Sequence, residues 1–239
     1  MTKLSVNINK VALIRNSRGA NLPDLVQVAK DCERFGAEGI TIHPRPDERH
    51  ARYADVPALK EAVKTELNIE GNPIPKFLSM VIANRPHQCT LVPDAPDALT
   101  SDAGWDTIKH KDFLIDTIGV LKEAGIRTSI FIDPVEQMIE GAKEVGTDRI
   151  EFYTGPFAHQ FEINREKAVA DYAHCAKLAH KLGLGINAGH DLNTQNLSYF
   201  LQKVANVAEV SIGHALISDA LYYGLQTTIL MYLKECRNG

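Results

Sequence analysis

Four side chains of the kinds that move protons near neutral pH stand at or near the ends of separate apolar runs: His43 after GITI, Glu70 in LNIEG, Glu151 in RIEFY and His190 in INAGH. Histidine titrates at about pH 6.5, and a carboxyl group withdrawn from water shifts up toward that range, so the set offers acid and base together. Singly, each would be an ordinary surface or hydrogen-bonded core residue. Convergence on one cavity is what would make them chemical. Groups suited to phosphate accompany them. Gly189-His190-Asp191 and Gly213-His214 are turns that can present backbone N–H groups to an anion. Arg18 in RNSRG, Arg45 and His50 in HPRPDERH, and Asn7, Asn9 and Lys10 in NINK can add charge and hydrogen bonds, or be solvated loop residues. No HExxH or similarly compact ligand spacing is present, so the expected chemistry is metal-free.

These residues need a scaffold that brings strand ends together. Eight short β-rich runs recur, at 4–9, 39–43, 67–70, 88–92, 128–133, 149–153, 184–187 and 209–212. Helical periodicity fills the intervals at 24–35, 56–65, 75–84, 112–124, 135–145, 165–181, 195–204 and 217–234. Glycine ends several of these helices, as in EAGI and HKLG, and Asp133-Pro134 suits the start of another. Eight strands alternating with eight helices predict a (β/α)8 TIM-type barrel; an open doubly wound sheet is the alternative architecture. In such a barrel the connections after the strands converge at one end, which is where the candidate residues fall. The connection 93–110, PDAPDALTSDAGWDTIKH, is longer than usual and reads equally as an active-site loop or as surface decoration.

At 239 residues the chain fits one barrel domain spanning 1–239, and 44% hydrophobic with 23% charged residues is a globular balance. A net charge of -4 without basic tracts argues against nucleic acid as a partner. The start MTKLSVNINK has no apolar leader and no run reaches the length of a membrane span, so a cytoplasmic protein is expected. Cys32, Cys89, Cys175 and Cys236 lie far apart and read as reduced structural residues.

The strings NINKVALIRNSRG (7–19), GITIHPRPDERH (39–50), LNIEGN (67–72), CTLVPD (89–94), IEFYTG (150–155), INAGHDL (186–192) and SIGHALI (211–217) occur in this order. Together they resemble the pyridoxine 5'-phosphate synthase family over almost the whole chain. The resemblance implies a barrel that joins 1-deoxy-D-xylulose 5-phosphate to 3-amino-2-oxopropyl phosphate, without metal or organic cofactor, in an octamer built from dimers. It makes His43 and Glu70 proton acceptors, His190 the proton donor and Glu151 the stabiliser of the transition state. Asn7, the His190-Asp191 turn and Gly213-His214 would hold the aminoketone phosphate. Arg18, Arg45, His50 and Thr100 would serve the two substrates, the last three mainly the deoxyxylulose phosphate. Three departures stand out: Asn9-Lys10 replaces the common Asp-His, and Asp191 replaces a common glycine. Fold and phosphate turns alone leave other readings open. One is a phosphosugar isomerase or aldolase, the latter needing a Schiff-base lysine that only Lys10 could provide. Another is a non-catalytic phosphosugar-binding barrel.

Overall fold

Apolar and polar residues alternate along most of the expected strands, and a strand sends alternate side chains to opposite faces. The computed structural model, which describes residues 1–94 and 101–239, uses this alternation to build a closed ring. Its strands are β1 Lys3–Asn7, β2 Gly39–Ile42, β3 Glu66–Gly71, β4 Gln88–Leu91, β5 Arg127–Ile132, β6 Arg149–Tyr153, β7 Gly185–His190 and β8 Val207–Ile212. All pair in parallel with their sequence neighbours, and β1 closes the ring against β8. Outside lie α1 Asn9–Asn16, α2 Leu25–Arg34, α3 Asp55–Ala62, α4 Pro75–Asn84, α5 Lys111–Glu123, α6 Glu136–Glu144, α7 Gly155–Lys181, α8 Leu197–Lys203, α9 His214–Tyr223 and α10 Leu225–Asn238.

The apolar phase of the strands packs against the helices. Leu4, Val6, Ile40, Ile42, Leu67, Ile69, Ile150, Phe152, Ile186 and Ala188 are all buried, and full burial of a large aliphatic or aromatic side chain contributes about 1.5–3 kcal/mol. The other phase fills the ring and is polar. The hydroxyls of Ser5 and Thr41 share a 2.8 Å bond, Thr90 Oγ1 donates to Asn68 Oδ1 at 3.1 Å, and Thr90 also reaches Glu151 at 3.4 Å. The last bond runs from β4 to β6, past β5.

At the strands' N-terminal ends this polar phase becomes a network of charge. Glu66 accepts from Lys3 Nζ at 3.1 Å and from Arg127, whose Nε donates to Gln88 at 2.9 Å. Arg149 donates to Asn187 Oδ1 at 3.0 Å, beside the buried Glu209.

Local chemistry ends several helices where expected, although α6 has Val135 rather than Asp133 at its N-cap, and Asp133 accepts the Gly104 N–H instead. Asp24 caps α2 by accepting from the N–H groups of Val26 and Gln27. Gly125 and Gly183 take positive φ just after α5 and α7. Several boundaries differ from the sequence reading, among them that of β7, which runs past 187 to His190. The first strand stops at Asn7, and residues 9–16 form α1, a helix whose eight residues are too few for periodicity to declare. The helix expected at 165–181 begins at Gly155, with a break at Asn164 (φ -158°, ψ 88°). The single helix expected at 217–234 is two, divided at Gly224, where φ is 77°. The four cysteines are buried and unbonded. No helix among the described residues is long and apolar enough to cross a membrane.

Candidate functional site

The connections after the strands enclose a cavity of about 510 Å³. His43 follows β2, Glu70 comes from β3 and His190 ends β7. Asn7 ends β1, Asn9 and Lys10 open α1, and Gly213 and His214 lie where β8 turns into α9. Arg45, His50 and Asp191 also line the cavity. Glu151 lies inside the ring, with 1% of its surface exposed.

Asn9 and Lys10 were expected at the end of a strand but sit in the first turn of a helix. The Asn7 side chain turns the chain there, accepting the Asn9 N–H at 3.1 Å, and Asn9 Oδ1 in turn accepts the His43 N–H at 2.9 Å. Asn9 therefore braces the end of β2 as well as lining the cavity. Arg18 is not brought to the cavity. At about 1.5 Å per residue, the eight residues of α1 carry the chain away from the rim, and Arg18 is exposed beyond them. Thr100 lies outside the described residues.

Sequence reasoning missed four residues. Leu13, Arg49 and Ser101 line the cavity, and Asp94 stands behind it, holding Arg45 at 3.0 Å while accepting from Ser101 Oγ at 2.5 Å. Arg49 lies within PRPDERH beside His50, so its signal was present. Asp94 ends the string CTLVPD but pairs with an arginine 49 positions away, which no local pattern records.

The electrostatics follow from burial without compensation. Glu70 Oε2 lies 3.8 Å from His43 Nδ1 and 3.5 Å from Asn7 Nδ2. Burial, reinforced by the nearby Glu151 and Asp94 carboxyls, holds Glu70 well above the usual carboxylate range. Glu151 is pushed up to about 8 by burial and by Glu209. The imidazoles move the other way. His43 is held well below its ordinary value by burial and by the Arg45 guanidinium, and His50 falls to about 4 through burial, Lys10 and Arg49. Burial also lowers His190, although Asp191 and Asp94 oppose it. Burial thus disfavours the charged forms of His43, His50 and His190 as well as those of Glu70 and Glu151.

His190 is set in an uncommon backbone. Its φ is +87°, on the side that residues with a Cβ seldom adopt. Its ring meets the edge of Phe131 at 5.0 Å between centroids. The preceding Gly189 leaves room for Glu151, because a Cβ there would stand 2.9 Å from Glu151 Oε1. Glu70, Glu151 and His190 converge with donor atoms within 4.8 Å of one another. Glu70 Oε1, Glu151 Oε1 and His190 Nδ1 have no hydrogen-bond partner among the described residues. Three unpartnered acid–base atoms this close together can exchange protons through a bound substrate.

Two sides of the cavity suit anions. The first N–H groups of α9 follow Gly213, and a Cβ at Gly213 would press within 3.1 Å of Asn7 Cβ. Across the β1–β8 seam, α1 also begins at the cavity and carries the ammonium of Lys10.

Residues 4–238 match the family model described as pyridoxal phosphate biosynthesis protein PdxJ. The chain belongs to this family. It is 61% identical over 234 residues to the pyridoxine 5'-phosphate synthase of Christiangramia forsetii, covering 98% of this chain and 99% of that one. The corresponding protein of Cytophaga hutchinsonii is 60% identical, with 99% and 100% covered. Among solved structures, phosphoribosylanthranilate isomerase from Thermotoga maritima shares the fold at a TM-score of 0.63 and 12% identity, over 100% of each chain. Thiamine phosphate pyrophosphorylase from Pyrococcus furiosus does so at 0.65 and 10%, over 98% of this chain and 94% of that one. At such identities the fold alone is shared. The barrel of the PdxJ family is thus common to other enzymes.

Proposed function

We propose that this chain is a pyridoxine 5'-phosphate synthase that condenses 1-deoxy-D-xylulose 5-phosphate with 3-amino-2-oxopropyl phosphate, releasing phosphate and water as the pyridine ring forms. The observation that carries this reading is the convergence of Glu70, Glu151 and His190, each with a buried polar atom that lacks a partner, between two anion-suited sides of one cavity. The chemistry asks for that combination. An amine must condense with a ketone, the imine must tautomerise, phosphate must leave and a carbon–carbon bond must close. Every step moves a proton, and each well-placed acid or base contributes on the order of 10² to 10⁴-fold. Fixing two substrates together supplies much of the rest.

In this reading His43, neutral in the free site, accepts a proton, and His190 donates one. Burial and the neighbouring carboxyls favour the protonated form of Glu70, so it gives up a proton as well as accepting one in the course of the reaction. A sequence of several transfers allows it to alternate. Glu151 steadies charge that develops beside it. The aminoketone phosphate lies against Asn7, Asp191, Gly213 and His214, and the deoxyxylulose phosphate against Lys10, Arg45 and His50. No metal or organic cofactor takes part. Incubating purified protein with both substrates and following pyridoxine 5'-phosphate by absorbance and mass tests the assignment; absence of product at any ratio of the two would refute it.

The single barrel domain is further read as a cytoplasmic homo-octamer. Leu221, Tyr222 and Tyr223, 58–86% exposed at the end of α9, are the kind of apolar surface that a second copy covers. Light scattering of the purified protein decides the number of copies.

A further inference from the structure

We propose that Thr154 is a positioning residue for the reaction, its single hydroxyl bridging the two peptide groups that flank His190 and so fixing the donor imidazole in place. The proposal rests on the reading of His190 as proton donor. Thr154 follows β6, is fully buried, and stands beside the end of β7. Its Oγ1 donates to the carbonyl oxygen of Gly189 and accepts the N–H of Asp191 at 3.3 Å. The carbonyl belongs to the peptide before His190 and the N–H to the peptide after it. Those two planes define the backbone dihedrals of the residue between them, and that residue has a φ of +87°.

A conformation of this kind persists only where its surroundings over-determine it. One atom that both donates and accepts meets the need, and a hydroxyl is the side-chain group small enough to do so inside the packed ring. Threonine adds a branched Cβ that restricts the hydroxyl's direction. The residue before it is anchored as well, since Tyr172 Oη donates to the Tyr153 carbonyl at 2.7 Å. The ring of His190 is fixed separately by the buried Phe131 of β5, edge-on at 79°. Backbone and ring are thereby held from different strands, leaving the imidazole among Glu70, Glu151, Asp191, Asp94 and Arg45. The pairing of β6 with β7, which includes Tyr153 with Gly189, does not depend on the hydroxyl.

Thr154→Val keeps the shape and removes both bonds, whereas Thr154→Ser keeps them. The first should lower kcat on the order of 10²-fold with KM changed less than about threefold, as expected when a reacting group is displaced without loss of substrate contacts. Thr154→Ser should recover activity to within about fivefold. Independently of catalysis, the His190 imidazole titration, followed by NMR in the substrate-free protein, should rise in Thr154→Val as the ring leaves its buried slot. A Thr154→Val protein with both kcat and the His190 titration unchanged overturns the proposal. So does a fall in kcat with an unmoved titration and no rescue by serine. A shifted titration with normal kcat supports the positioning and removes His190 as the donor. If Thr154→Val does not fold, Thr154→Ala is read in the same two ways. Failure of both to fold makes the hydroxyl a folding determinant and rejects the positioning role.

Discussion

Strand β3 carries two glutamates four positions apart, and the barrel treats them in opposite ways. At its N-terminal end Glu66 is half-buried, but bonds from Arg127 and Lys3 more than reverse the effect of burial and hold it below the usual carboxylate range. At its C-terminal end Glu70 is buried beside other carboxyls and held well above that range. The same residue type on the same strand meets cations at one mouth and other carboxyls at the other. What differs is the supply of nearby cations as well as the depth. The difference teaches that a carboxylate withdrawn from water is diagnostic only together with its neighbours.

The sharpest way to break this comparison is to remove each carboxylate's function in turn. Glu70→Gln keeps the shape of the protonated acid but cannot exchange its proton. Turnover should fall by about 10³-fold or more while substrate dissociation constants, measured by calorimetry, stay within a few-fold. Near-normal turnover would remove Glu70 from the mechanism. At the opposite mouth, Arg127→Met strips Glu66 of its main partner. Breaking a fully buried pair costs about 3–5 kcal/mol, and the 30% exposure of Arg127 brings the expected loss to roughly 2–3 kcal/mol in denaturant titration. The kcat of the folded protein should not change.

Smaller effects sharpen the same contrast. Lys10 presents three donors and no acceptor to the cavity. Lys10→Met should therefore raise KM for the deoxyxylulose phosphate by about tenfold, with a lesser change in kcat, in line with roughly 1.5–3 kcal/mol for a charged hydrogen bond. A collapse of kcat at constant KM would instead make the lysine a catalytic group. The pH dependence of stability separates the mouths again. Glu151 titrates near 8 in the fold against an ordinary 4.5, so its favourable protonation is complete below about pH 4.5 and is lost as the pH rises through 8. Glu66 acts in the other sense, its contribution fading as acid protonates it. Melting temperature should accordingly fall less steeply between pH 4.5 and 8 in Glu151→Gln than in the unsubstituted protein. The smallest expected effect is none: treatment with a chelator should leave turnover unchanged. Loss of activity restored by a divalent ion would overturn the metal-free reading.

Much of this is legible in the order of residues alone. Period-two runs and glycine-ended helices announce eight strand–helix units, and His43, Glu70 and His190 lie where those units converge. What stayed hidden was either too short or too distant. The helix α1 displaced Asn9 and Lys10 from a strand end and left Arg18 exposed beyond it, outside the lining of the cavity. Asp94 acts on an arginine supplied by another strand's loop, and Thr154 acts across β6 to β7. Such pairings exist only once the ring has closed.

The order of manufacture follows from where that ring closes. The chain's first strand bonds to its last, Lys3 to Val6 against Glu209 to Ile212, and the two anion-suited sides flank this seam. A ribosome delivers His43 and Glu70 early, but the turn at Gly213 only after β4 to β8 and the helices between them. Until then β1 has an unfilled edge and the cavity lacks one wall. A half-made chain therefore carries His43, Glu70 and Lys10 around an open sheet, and the cavity they line takes shape only when β8 and α9 join β1.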